Sequence, residues 1–244
     1  MALPYTLAPV EPLRAGLVVL QSDETIEADM RRLLPDGLPL MVTRVPSATV
    51  VSSDSLQEMA AVLTQAASLF PRGADFAVVG YGCTSGSAQI GAGEITRLVK
   101  AGVTAGAVTQ PLSALVAACR ALDVTRIGMI SPYVAQVSQT LIDALAAQGI
   151  TVTGFASFDE PLEQNVVRIS AESLTDAATS LHRDYDVEAV FLSCTNLRTL
   201  DVIAPLEARL DVPVLSSNQV LAWHMCALAV VPVAHDTFGC LWAR

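Results

Sequence analysis

Basic side chains are scarce in this sequence of 244 residues: Lys and Arg total 14 against 24 Asp and Glu, a formal charge of −10. Nothing resembles a basic stripe able to neutralise phosphates, so nucleic acid is excluded as a partner, and acidity on this scale serves solubility. Aromatic residues make up only 5% although 52% of the chain is hydrophobic. The apolar surplus therefore comes from Ala, Val and Leu, as expected where buried parallel strands pack against helices. Histidine is limited to His182, His224 and His235, which form no ligand pattern with the thiols, so no metal site is expected. The five cysteines are an odd number without CxxC spacing, which fits a reducing compartment better than a disulfide framework. The most hydrophobic late stretch, 220–234, is interrupted by His224 and Pro232 and is too short to span a bilayer. Met1-Ala2-Leu3-Pro4-Tyr5 lacks the basic start and apolar core of a secretory signal. A cytoplasmic protein without a membrane partner is expected.

What the sequence does contain is a repeat. Gly82-Cys83-Thr84-Ser85-Gly86 and Ser193-Cys194-Thr195-Asn196-Leu197 are look-alike frames, each following a hydrophobic run. The two cysteines stand 111 residues apart (194 − 83), close to half the chain, which reads as an internal duplication. Short β-branched runs alternate with longer amphipathic segments, the pattern of βαβ units and a parallel sheet. Strands are expected near 15–20, 39–45, 76–82 and 105–109, with equivalents near 126–131, 150–157, 188–193 and 212–216. Helices are expected at 55–70, 113–122, 134–148 and 173–185, the third ending near Gly149 as a C-cap. Right-handed crossovers then give an α/β fold of two similar flavodoxin-like (Rossmann-like) lobes, each with a four-stranded parallel sheet, related by a pseudo-twofold axis with the active site between them. The lobes are expected at 1–112 plus 217–244 and at 113–216, the final helix, 218–230, packing back onto the first lobe. Ligands in such sheets bind beyond the carboxyl ends of the strands, where both cysteine turns fall.

The turn Gly80-Tyr81-Gly82-Cys83-Thr84-Ser85-Gly86 lacks glycine where Ser85 stands and lacks a P-loop lysine, so it is not a nucleotide fingerprint. It offers free backbone N–H groups at a helix start, a seat for a carboxylate, and Thr195 and Asn196 offer the same after Cys194. A thiol in such a place gains acidity and becomes a better nucleophile or base. Cys119 and Cys226, within helical apolar patterns, read as small buried hydrophobes, and Cys240 carries no assignment.

The chain resembles the aspartate/glutamate racemase superfamily, cofactor-free racemases, cis–trans isomerases and decarboxylases with two like lobes and cysteines in the cleft between them. The resemblance rests on Gly16-Leu17-Val18-Val19 with Glu27, the Cys83 turn, Ser131-Pro132-Tyr133, Asn165-Val166-Val167-Arg168-Ile169, and the run Cys194-Thr195-Asn196-Leu197-Arg198-Thr199 followed by Leu215-Ser216-Ser217-Asn218-Gln219. Within the superfamily it is strongest toward maleate cis–trans isomerases and a related protein encoded with ectoine-degradation genes. The resemblance implies an isomerase or racemase that needs no cofactor and works on a small carboxylate, an amino acid or an ectoine-derived compound. Cys83 would add to an alkene carbon or take a proton, with Cys194 as the opposed acid–base group. Tyr133 and Asn165 would contact a substrate carboxylate, and Thr84, Ser85 and Thr195 would cradle it through their backbones. Arg168 and Arg198 are expected in structural ion pairs, with anion binding as the alternative.

One departure bears on the substrate. Maleate isomerases carry Ser-Asn-Thr where this chain has Ser22-Asp23-Glu24-Thr25, so an amide that donates to a carboxylate is replaced by a group that, when ionised, only accepts. Asp23 would suit a cation on the substrate, or it caps the helix that starts near Thr25. The alternatives to an isomerase are an arylmalonate-type decarboxylase and a non-catalytic small-carboxylate binding protein. A hydrolase using Cys83 lacks a histidine base in a comparable turn. The sequence leaves assembly into a homodimer or higher homo-oligomer open.

Overall fold

Ala15–Leu20 (β1) is buried at every residue, and Phe76–Gly82 (β3) at all but one, as befits central strands covered on both faces. The computed structural model describes residues 1–9, 13–232 and 237–243, so His235 lies outside the described residues. β1 pairs in parallel with Leu40–Val45 (β2) on one side and with β3 on the other, and β3 pairs with Ala105–Thr109 (β4). The second sheet repeats this order: Arg126–Ser131 (β5) lies between Thr151–Ser157 (β6) and Ala189–Leu192 (β7), and β7 pairs with Val214–Ser216 (β8). Two four-stranded parallel sheets of like topology, β2-β1-β3-β4 and β6-β5-β7-β8, are therefore present as the sequence repeat requires. In each, the chain reverses its direction of growth between the first and third strands, which opens a crevice at their carboxyl ends.

Helices cover the sheets: Ile26–Leu33 (α1), Ser53–Ala67 (α2), Thr84–Ile90 (α3), Ala92–Gly102 (α4) and Pro111–Ala121 (α5) in the first half, then Ala135–Ala146 (α6), the single turn Glu163–Val166 (α7), Ala171–Asp184 (α8), Leu200–Leu210 (α9) and Ser217–Ala229 (α10). The last helix of each half crosses over. Ala114, Leu115 and Ala118 of α5 are buried in one cluster with Ile127, Met129 and Phe191 of the second sheet. α10 packs against β3, β4 and α1, with the Met225 sulfur closing on Gly80. α9, which was not among the segments read as helices, holds Pro205 in its interior. Burial of Leu200, Val202, Ile203, Leu206 and Leu210 outweighs the hydrogen bond that proline removes. Gly149 lies two residues beyond the α6 C-cap Ala147, with φ of +82°.

Cys119 and Cys226 are buried in the apolar clusters, and Cys240 is exposed. Among the described residues no helix is long and apolar enough to cross a membrane.

Helices α2 and α4 touch backbone to backbone at Gly102, where an added Cβ would meet the Thr64 carbonyl oxygen at 2.4 Å and the Ala67 Cβ at 2.8 Å. Gly102→Ala is therefore expected to lower stability by about 1–3 kcal/mol through overpacking. Urea unfolding would show a lower midpoint at unchanged slope, and an unchanged midpoint would mean that the helices separate without cost.

Candidate active site

The turns after β1 and β3 carry the first half of the site. After β1 the chain must start α1, and its free amides need an acceptor. Asp23 Oδ1 supplies it, accepting from the N–H groups of Thr25 and Ile26, both at 2.8 Å. Asp23 thus caps the helix with one oxygen, while Oδ2, buried with the rest of the residue, has no hydrogen-bond partner among the described residues, the Thr195 hydroxyl lying near enough to favour the carboxylate. After β3, Cys83 is the N-cap of α3, and its Sγ accepts from Gly86 N–H at 3.2 Å. Glycine is needed there: a Cβ at position 86 would stand 2.9 Å from Sγ and 2.7 Å from the Tyr81 hydroxyl.

The equivalent turns of the second sheet bring Tyr133 and Cys194. Cys194 Sγ accepts from Asn196 N–H at 3.3 Å and lies 3.1 Å from the Tyr133 hydroxyl, which also donates to Glu163 Oε1. Asn196 Nδ2 donates to Glu163 Oε2 at 2.7 Å. The two cysteine turns meet at Ser217, the first residue of α10. Its hydroxyl oxygen accepts from the Thr84 hydroxyl at 2.7 Å and from Cys194 N–H at 3.0 Å.

Cys83, Thr84 and Ser85 from one lobe and Tyr133, Cys194 and Thr195 from the other line a single small cavity, together with Asp23 and Glu163. Asn196 is not in its wall. It buckles the site from behind, its Oδ1 accepting from Glu24 N–H and its carbonyl from the Thr25 hydroxyl. Asn165 is not brought to the cavity either; its amide donates to Glu160 at 3.1 Å. Glu163, two residues earlier on α7, is the polar side chain that enters. Arg168 and Arg198, expected in ion pairs, are exposed and form none among the described residues. Sequence reasoning missed Glu163 and Ser217. The Ser216–Gln219 capping box that starts α10 was a readable signal for Ser217. Nothing in the sequence set the phase of the four-residue α7.

Burial, reinforced by nearby carboxylates, decides the state of the thiols. Burial pushes Cys83 up to about 12; the Gly86 N–H opposes this, and the carboxylates of Glu163 and Asp23 add to it. Burial and then Glu163 push Cys194 well above its ordinary value. Burial also raises Asp23, Glu163 and, strongly, Tyr133. Among the described residues that line the cavity none is basic, and no group of three or more His, Cys, Asp and Glu is arranged to hold a metal ion. His224 Nδ1 instead pairs with the Thr109 hydroxyl at 2.8 Å.

The profile of the arylmalonate decarboxylase family matches residues 16–242. Arylmalonate decarboxylase of Bordetella bronchiseptica is 30% identical over 217 residues, 88% of this chain and 89% of that protein. Maleate isomerase of Nocardia farcinica is 29% identical over 235 residues, 91% of this chain and 92% of its own. A solved structure of a cysteine-to-serine mutant of Nocardia farcinica maleate cis–trans isomerase, with a covalently bound succinylcysteine intermediate, superimposes with a TM-score of 0.83 at 25% identity. It covers 94% of this chain and 98% of that one.

Two pH dependences follow. With Cys83 near 12 in the free protein, its thiolate fraction is small at neutral pH and grows about tenfold per pH unit. Iodoacetamide labelling of Cys83 and Cys194, read by peptide mass spectrometry, should climb from pH 7 to pH 9 without a plateau. A plateau near pH 7.5 would reveal a preformed thiolate. Asp29, whose Oδ2 accepts from Asn218 Nδ2 at 2.8 Å, is raised by burial from 3.8 to about 6. Its folded-state pKa exceeds the unfolded one, so the folded state binds this proton more tightly. The resulting stability is present below about 4 and is lost as pH rises through about 6. Chemical unfolding between pH 4.5 and 7 should show this slope in the wild type and a flatter one in Asp29→Asn; identical slopes would remove Asp29 as its source.

Proposed function

The chain belongs to the arylmalonate decarboxylase family, and on that premise we propose that it is a thiol-dependent isomerase or racemase acting on a small carboxylate. The observation that carries this reading is the pair of thiols, one from each equivalent strand end, in the wall of one cavity. A relative that holds a succinylcysteine intermediate supports covalent chemistry at one of them.

For a racemisation, one thiolate takes the Cα proton, the electron pair moves into the adjacent carboxylate as an enediolate, and the opposite thiol returns a proton from the far side. For a cis–trans isomerisation such as that of maleate, the Cys83 thiol gives its proton to solvent and the resulting thiolate adds to one alkene carbon. The π pair is protonated at the other carbon by Cys194, and the single bond rotates. Cys194 then recovers the proton as the C–S bond breaks and the sulfur leaves with its pair. Proton movement at Cys194 has a built path: its S–H donates to the Tyr133 oxygen while the Tyr133 O–H donates to Glu163. Passing both protons along converts thiol and carboxylate into thiolate and carboxylic acid with no net change of charge. Backbone amides of the Cys83 and Cys194 turns, with Thr84, Ser85 and Thr195, hold the substrate carboxylate.

Maleate, an amino acid and an ectoine-derived compound all fall within this reading. Decarboxylation of an arylmalonate is the second reading, favoured by the 30% identity to the Bordetella enzyme. It is weakened by the two-thiol wall, because one thiol suffices to protonate the enediolate left by loss of carbon dioxide. The working thiols must stay reduced, so the reading places the protein in the cytoplasm.

Proton NMR in D₂O, with the reduced protein and a panel of maleate, the enantiomers of aspartate and glutamate, 2,4-diaminobutyrate and phenylmalonate, separates these reactions. Deuterium at Cα, or fumarate from maleate, is expected, with a loss of about 100-fold or more in both Cys83→Ser and Cys194→Ser. Turnover that survives Cys83→Ser, or phenylacetate as the main product, would replace the isomerase by the decarboxylase.

A further inference from the structure

The cavity is acidic to a degree that a dicarboxylate does not explain. Asp23 is 3% exposed and Glu163 5% exposed, and both line the same wall as the thiols. Glu163 has an acceptor bond at each oxygen, from Tyr133 and Asn196. Asp23 has both its acceptor bonds at Oδ1, and Oδ2 has none among the described residues, although the Thr195 hydroxyl, which donates to the Gly82 carbonyl at 3.4 Å, lies close enough to favour the carboxylate. A buried acceptor without a strong donor is unfavourable, more so when it carries charge, so this oxygen is open to a group that arrives from outside. The nearby cation, Arg44, is already committed. Its Nη1 donates to the carbonyls of Leu20 and Asp23, both at 3.0 Å, and its Nη2 reaches the exposed Glu27 at 3.5 Å.

Resting on the isomerase reading, we propose that the substrate carries a cationic nitrogen, an ammonium or amidinium, which docks on Asp23 Oδ2 beside Glu163 while its carboxylate meets the cysteine turns. A neutral donor would satisfy Oδ2 but leave two like charges buried together. A cation satisfies the oxygen and neutralises the pair at once. The same docking acts on the chemistry, because the carboxylates of Asp23 and Glu163 are among the groups that hold both thiols neutral. A cation seated between them cancels that field, and the thiols become easier to ionise when a substrate with the right charge is bound. The competing arrangement is a protonated Asp23 that donates its proton to a second carboxylate of the ligand, and it gives the opposite preference.

Isothermal calorimetry of the full chain with 4-aminobutyrate and glutarate, which differ only in the charge at one end of the same three-methylene spacer, decides between them. The wild type is expected to bind 4-aminobutyrate about tenfold or more tightly than glutarate. Asp23→Asn and Glu163→Gln should each narrow or invert that ratio while circular dichroism stays unchanged. Asparagine can still cap α1 through its amide oxygen, so Asp23→Asn keeps the test open if the glutamine variant folds poorly. Preference for glutarate, an equal ratio in all three proteins, or no binding of 4-aminobutyrate would each overturn the proposal. Because binding is read without turnover, a protein that prefers 4-aminobutyrate yet converts nothing in the D₂O panel loses the isomerase reading and keeps the cation seat. One that isomerises maleate and prefers glutarate does the reverse.

Discussion

One hydroxyl, that of Ser217, fixes the two cysteine turns in relation to each other. It is fully buried and accepts from the Thr84 hydroxyl behind one thiol and from the Cys194 amide behind the other. Buried polar atoms are expensive unless bonded, and here the partners come from different lobes. The same holds around it: Asn196 takes donors from Glu24 and Thr25 of the first turn, and Asn218 gives to Thr195 and to Asp29. A relative shift of the sheets would orphan several of these atoms together. Satisfaction of these buried hydrogen bonds, together with apolar contact, holds the two thiols in the wall of one small cavity.

The same burial sets the resting state of the chemistry. A thiol at the N-terminus of a helix is usually read as activated, and the Gly86 and Asn196 amides do favour the thiolates. Desolvation and two carboxylates outweigh them. The free protein therefore keeps its thiols neutral, which also slows their oxidation, since the thiolate is the reactive form. Reactivity has to come with the substrate, through charge placed in the cavity or through the Tyr133–Glu163 path that lets Cys194 give up a proton without creating a second negative charge.

Strand ends were legible because they follow from period and repeat. Once Cys83 and Cys194 are placed at equivalent turns, the fold has little freedom, and Tyr133 falls into place after β5. Asp23 was legible as a choice between cap and contact, and the structure gives one oxygen to the cap and leaves the other in the cavity. Asn165 and Glu163 show where the reading ends. They are two residues apart on a single helical turn, so they face different ways, and only the path of the chain from β6 decides which of them enters. Arg168 and Arg198 carried the expectation of ion pairs, but neither has a carboxylate within reach among the described salt bridges. At α9, local propensity at Pro205 and the burial of a whole apolar face conflict, and tertiary packing wins.

The duplication makes the thiols alike but not their surroundings, and that asymmetry gives the site a direction. After the first strand of each sheet stands a different residue: Asp23, a helix cap with one oxygen open, in one lobe, and Tyr133, a hydroxyl between sulfur and carboxylate, in the other. Cys83 is backed by the Gly86 amide and the Tyr81 hydroxyl, whereas Cys194 is connected through Tyr133 to Glu163, an acid that can store its proton. A symmetric pair of acid–base groups would have no preferred order of events. On the proposed reading the proton is handled on the Cys194 side, Cys83 is the sulfur that bonds carbon, and Asp23 selects which end of an asymmetric substrate lies beside it.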